Sequence, residues 1–234
     1  MRTLKKHFRN YGLSLASVRH ILITHDHADH VKCVGSLSHE YQWPVYATEL
    51  VHEGIRHNYC VNKKIPIGLV RTIEKGSTLQ VGDFTVTSFN VPHDSRDCVG
   101  YAVKADGVTF CIMTDVGEIT DEMKPFIREA NYLVIEANHD EEMLQSGPYP
   151  AYLKSRIVSG NGHLSNRACA EALAENVTSC MRHIWLCHLS EENNHPELAR
   201  KTVDSHLRSF GIVPGVDFQL DVLKRKVPSE VIEL

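Results

Sequence analysis

Thr24-His25-Asp26-His27-Ala28-Asp29-His30-Val31 places three imidazoles and two carboxylates within six consecutive residues. An apolar run, His20-Ile21-Leu22-Ile23, leads directly into it and reads as a short buried strand. Past the strand end the backbone is still extended, so His25 and His27, two apart, project to the same side. Asp29 and His30 then open a helical pattern, and a carboxylate at a helix start suits the positive end of the dipole. Four side chains thus converge from one strand-to-helix turn. Imidazole with carboxylate suits a divalent ion such as zinc, and so many ligands on one turn point to two ions. Asp26 faces away from its histidine neighbours and reads as a supporting residue. A merely solvated His/Asp loop fits poorly with a cluster this dense behind a buried strand.

On the N-terminal side, Met1 to Phe8 read as the tail of a basic helix and residues 14–18 as a helical turn, before a strand at 20–24. On the other side an amphipathic helix is expected over 29–41, with Val31, Val34 and Leu37 on its buried face. A strand follows at 45–47, then a helix capped by Thr48 and running to 58. Residues 59–76 read as loop with a weak strand. Gly82-Asp83 turns a hairpin between 79–81 and 84–89, and Ala105-Asp106-Gly107 joins strands at 99–104 and 108–113. Helices are expected at 119–130, at 165–176 and from Pro196 to 210, with strands at 132–136, 183–187 and 218–222. Hairpins first, then strands alternating with helices, predict a mixed α/β (α+β) fold of two-layered, helix-flanked sheets in a single domain. Residues of ligand type recur at the strand ends: His93 after 91, Asp115 after 114 and His188 after 187. Each is a weak signal alone, since a lone loop histidine is usually just exposed and a turn aspartate usually a cap. Together they supply the three further ligands that two ions need.

The pattern His25-x-His27-x-Asp29-His30, then His93, Asp115 and His188, closely resembles the metallo-β-lactamase superfamily over nearly the whole chain. The resemblance implies an αβ/βα sandwich and a dinuclear site of two divalent ions, zinc first, with manganese or iron as alternatives. It would place His25, His27 and His93 on one metal, Asp29, His30 and His188 on the other, and Asp115 between them. Leu133 to Asp140 and Gly162-His163-Leu164-Ser165-Asn166 are similar to the YycJ/WalJ exonuclease-like branch. His163-x-Ser165 also resembles the His-x-Thr element of RNase Z-type phosphodiesterases. There a strand-end glutamate supports a histidine that protonates the leaving oxygen; the matching pair here is Glu136 and His163. Members of this branch begin with a strand, a Ser-Gly-x-Ser-Gly-Asn-like loop and an Asp-Ala-Gly segment ahead of the first helix. None precedes it here, so the first sheet is expected to lack its N-terminal strands or to be shortened.

The implied chemistry is phosphodiester hydrolysis by a metal-bound hydroxide, with Asp29 orienting that water or taking its proton and His163 as general acid. Ser165 reads as a helix cap and, with Asn166 and the free N–H groups there, as part of a phosphate cradle. Lys154, Arg156 and Arg167 flank it as candidate phosphate contacts, although a lone surface cation is usually just solvated. His139 and Asp140 could support the site or hold a loop. The leading expectation is an exonuclease on DNA, ahead of a glyoxalase II- or lactonase-like (thio)ester hydrolase and of a scaffold held together by its metals. Net charge −4 gives no overall pull toward polyanions, so nucleic acid must be met locally or through the metals. Seven cysteines without a C-x-x-C pair suit reduced thiols in the cytoplasm. No apolar run approaches a membrane span.

Overall fold

The computed structural model describes residues 2–234. The first part of the chain runs α1 (Arg2–Asn10), β1 (Ile21–Leu22), α2 (Ala28–Val31), α3 (Val34–Tyr41), β2 (Val45–Ala47), α4 (Glu49–His57) and β3 (Val70–Thr72). Helix α1 is the expected basic helix; Met1 lies outside the described residues. The hairpin strands follow as β4 (Thr78–Val81), β5 (Phe84–Asn90), β6 (Val99–Ala105) and β7 (Val108–Met113). The last part alternates: α5 (Lys124–Glu129), β8 (Tyr132–Glu136), α6 (Glu141–Ser146), α7 (Ala151–Ile157), α8 (Asn166–Asn176), β9 (His183–Cys187), α9 (Pro196–Ser209) and β10 (Gln219–Val222).

Two sheets result. A small parallel sheet has the order β1-β2-β3, with strands of two or three residues. The large sheet has the order β10-β9-β8-β7-β6-β5-β4. It is antiparallel from β4 to β7 and parallel from β7 to β10. Apolar side chains of the small sheet, Leu22 and Tyr46, pack with Val86, Val99 and Tyr101 of the large one, forming the inner layer. Outside the small sheet, Val31 and Val34 meet Val51 and Ile55 of α4. On the outer face of the large sheet, Ile127, Leu173, Val203 and Leu207 of α5, α8 and α9 cover Leu133, Ile135 and Leu186. The layers are therefore helix, sheet, sheet, helix.

This arrangement brings the strand ends that matter to one edge. β5, β7, β8 and β9 all point the same way, because β5 and β7 each run antiparallel to β6 while β7, β8 and β9 are mutually parallel. His93, Asp115, Glu136 and His188 sit at or just beyond their carboxyl ends, where ligands of α/β sheets are met.

Three local expectations change. The helix over 29–41 is broken at Lys32–Cys33 into α2 and α3. After the break, α3 packs its Gly35 so closely on the loop at Lys63 that a Cβ there would lie 1.7 Å from the Lys63 carbonyl oxygen. The helix expected from 119 begins only at Lys124, because Pro125 belongs in a first turn and not in a helix interior. Helices α6 and α7, left unassigned from sequence, are each under two turns long. Asp140 caps α6 by accepting from Met143 N.

Asp26 also finds its place. Its backbone carbonyl accepts from Asn58 Nδ2 at 2.9 Å, and its side chain lies against Gly54 of α4. In a free helix Ala is preferred over Gly by about 1 kcal/mol. Here an added Cβ would lie 1.9 Å from Asp26 Oδ2. Gly54→Ala is therefore expected to destabilise the protein by about 1–3 kcal/mol in urea unfolding; an unchanged or raised midpoint would show that Asp26 gives way freely.

Candidate metal centre

The turn after β1 delivers its histidines as the alternation predicts. His25 is fully buried, with Nδ1 3.1 Å from Thr24 Oγ1. His27 Nδ1 lies 3.3 Å from Nε2 of His93, whose own Nδ1 donates to the Gly162 carbonyl at 3.0 Å. Ligand atoms of His25, His27 and His93 all fall within 4.8 Å of one another, and so do those of Asp29, His30 and His188. Asp115 stands between the two triads. Its Oδ1 is 3.4 Å from His188 Nε2, 3.7 Å from His93 Nε2 and 3.9 Å from His25 Nε2, while Oδ2 is 3.4 Å from His30 Nε2. Thr114 Oγ1 fixes that carboxylate with a 2.8 Å hydrogen bond.

Two of these residues reach the centre through unusual backbone. Asp115 has φ 57° and His188 φ 55°, in the left-handed region where side chains other than Gly are strained. Each reverses the chain just past its strand and turns its side chain over the sheet edge.

Glu136, at the end of β8 and wholly buried, organises the far side. Its Oε1 accepts from Nδ1 of His163 at 2.9 Å and from Nδ1 of His188 at 2.8 Å; its Oε2 takes the backbone N–H of Val116 and, at 3.5 Å, of Leu164. Burial pushes the carboxyl pKa up, but these hydrogen bonds more than reverse it and hold it at about 2. For His188 burial acts downward and Glu136 more than compensates, raising it to about 9. His163 is raised by the same balance. His25 goes the other way, lowered by burial and by the surrounding imidazoles.

The residues fit a pair of divalent cations. His25 Nε2 is buried with no hydrogen-bond partner, a costly state for a neutral imidazole unless something electrophilic meets its lone pair. The set is rich in imidazole with a few carboxylates, as zinc, manganese or iron accept.

A family model described as the beta-lactamase superfamily domain matches residues 2–188. The chain belongs to the metallo-β-lactamase superfamily. Within it, the exodeoxyribonuclease YycJ of Bacillus anthracis is 37% identical over 224 residues, covering 96% of this chain and 84% of that one. The exodeoxyribonuclease WalJ of Streptococcus pneumoniae is 38% identical over 200 residues, covering 86% and 74%. Among solved structures, the metallo-β-lactamase fold protein YhfI of Bacillus subtilis aligns with TM-score 0.67 at 18% identity, over 96% of this chain and 81% of that one.

The superfamily pattern accounts for the ligand set but not for the residues around it. The candidate centre opens into a cleft of about 410 Å³. Of the residues expected to contact phosphate, Arg156 lines this cleft, where it hydrogen-bonds Asp94. The others are placed elsewhere. Ser165 does cap α8, accepting from Ala168 N, but it is buried and donates to Glu141. Asn166 is buried with its amide paired to Asn194. Lys154 Nζ donates to the Gln145 carbonyl, and Arg167 lies 3.7 Å from Glu141. Sequence reasoning gave Glu136 only one imidazole and missed Asp94, whose Oδ1 is 3.5 Å from His93 Nε2; adjacency to His93 was the available signal.

A proton on His188 must leave before its Nε2 can hold a cation. With that pKa near 9, the metal-free protein carries the proton at pH 7. Zinc titrated by calorimetry in buffers of different ionisation heat is expected to release about one proton at the site that holds His188, and affinity there to rise about tenfold per pH unit between 7 and 9. Proton release near zero and flat affinity would contradict this.

Proposed function

We propose that this metal-dependent hydrolase is a phosphodiesterase that degrades nucleic acid, an exonuclease on DNA working in the cytoplasm. The observation that carries the reading is a protonatable histidine, His163, held by a buried carboxylate beside the ligand set. The names of the YycJ and WalJ relatives point the same way. In this reading His25, His27 and His93 hold one cation, Asp29, His30 and His188 the second, and Asp115 both, with zinc the first choice and manganese or iron the alternatives. Bound there, the cations supply Lewis acidity toward the phosphoryl group and make an attacking water more acidic.

The chain's own residues do the rest. Asp29, whose side chain is 69% exposed, lines the cleft and can orient the water or take its proton. Glu136 holds His163 by Nδ1, which fixes the tautomer and leaves Nε2 as the nitrogen available to the cleft. Glu136 raises the His163 pKa, which favours the protonated ring and suits that nitrogen to give its proton to the departing sugar oxygen. Of the candidate phosphate contacts, Arg156 is on the cleft and would meet a backbone phosphate by exchanging Asp94 for it. Hydrolysis of a thioester by a glyoxalase II-like route expels a thiolate, which departs without a proton and gives a carboxylate-held histidine little to do.

Metal-loaded protein incubated with end-labelled single- and double-stranded DNA is expected to shorten it from an end. No cleavage with zinc, manganese or magnesium would reject the reading. His163→Ala is expected to lower kcat on DNA by about 100-fold or more. On thymidine 5′-(p-nitrophenyl phosphate), whose nitrophenolate departs without a proton, the loss is expected to be far smaller. Equal losses on both substrates would make His163 structural.

A further inference from the structure

The cleft also has apolar lining: Tyr149, in the segment Gly147-Pro148-Tyr149-Pro150 just before helix α7, and Leu153 within that helix. Tyr149 is half-buried and makes no hydrogen bond, ion pair or ring contact within the described residues. An aromatic ring inside a fold normally has packing or hydrogen-bonding partners of both kinds. This one has no hydrogen-bond or ring partner, and prolines on both sides restrict its backbone. Pro148 fixes its own φ, and a residue preceding proline, as Tyr149 precedes Pro150, is restricted to extended conformations. A backbone restricted before anything binds loses little freedom on binding.

We propose that Tyr149 is the stacking platform for the nucleobase of the terminal nucleotide, with Leu153 beside it. The inference rests on the nuclease reading for its substrate and names the part of that substrate the candidate metal centre cannot hold. A nucleotide has an anionic phosphate for the His/Asp side of the cleft and a flat aromatic base for the Tyr149 side. A cleft of about 410 Å³ lies toward the small end of ligand pockets, room for one nucleotide and not for a duplex. Stacking is indifferent to which base is present, because every base offers a π-face; an enzyme that trims successive nucleotides needs that tolerance. The rim adds a reason for an end. Glu191 is tied to Arg225 and Lys226, but Glu192, also on the cleft, has no ion-pair partner among the described residues. A strand continuing across that rim would bring its phosphates against an unpaired carboxylate.

The test measures binding of products, which are not cleaved. Zinc-loaded protein is titrated calorimetrically with thymidine 5′-monophosphate, thymidine 3′-monophosphate and, as the ligand without a base, 2-deoxyribose 5-phosphate. The wild type is expected to prefer one of the two nucleotides over the sugar phosphate by roughly tenfold, within the range of base–aromatic stacking. Tyr149→Ala is expected to lose the preference while binding the sugar phosphate as the wild type does, and Tyr149→Phe to keep it. Absence of a preference in the wild type, or its survival in Tyr149→Ala, overturns the platform. The DNA cleavage assay fails separately: a protein that shows the Tyr149-dependent preference without cleaving DNA supports the platform and rejects the nuclease.

Discussion

Glu136 is a carboxylate with no access to water, and the geometry of the candidate centre depends on how its charge is met. A buried charge without partners costs several kcal/mol, so it persists only where donors surround it. Here two imidazole N–H groups meet one oxygen and two backbone N–H groups approach the other. They come from three places: the loop after β7, the approach to α8 and the end of β9. One charge therefore draws three separate stretches of chain to the end of β8. It also decides which nitrogen each histidine offers, because a ring that donates from Nδ1 presents Nε2 outward. The candidate acid, His163, and the candidate ligand, His188, are thus set by a single oxygen atom. Removing that carboxylate would disturb proton donation and ligation together.

Backbone strain does the complementary work on the strand side. An extended strand points its side chains above and below the sheet and cannot aim one past its own end. At Asp115 and His188 the chain enters the left-handed region and folds the side chain back over the edge. Such conformations cost about 1–3 kcal/mol each, and Asp and His tolerate them better than most residues. Carbonyls and hydroxyls beside them complete the hold: Asn138 Nδ2 donates to the His188 carbonyl and Thr114 to the Asp115 carboxylate. The candidate ligands are thus held by contacts within the chain itself, as a preorganised site requires.

How much of this could be read from the sequence follows from the range of the interactions. Strand periodicity and turn chemistry act over a few residues, so the strands of the large sheet and the Asp106-Gly107 turn, both residues at positive φ, were legible. The ligand candidates were legible because each follows a strand, and parallel strands carry their ends to one edge. What failed was either too short or too distant. Helices α6 and α7 hold under two turns each and show no full apolar repeat. Asn166 looked like a phosphate contact beside Ser165, but its amide is claimed by Asn194, 28 residues on. The second imidazole on Glu136 comes from a residue 52 positions away. Neither pairing leaves a local trace.

The charge of the cleft sets the terms on which any polyanion could enter. Proteins that hold nucleic acid through surface Lys and Arg gain affinity by releasing counterions. This chain has net charge −4, and its cleft carries Asp29, Asp94, Asp115, Glu191 and Glu192. The two arginines lining it, Arg156 and Arg225, are already engaged by Asp94 and Glu191. Without cations the cleft would repel a phosphate; with two divalent ions among the same carboxylates the local sign reverses. Under the proposed function, a phosphate is then drawn to the candidate centre rather than to the basic residues lining the cleft.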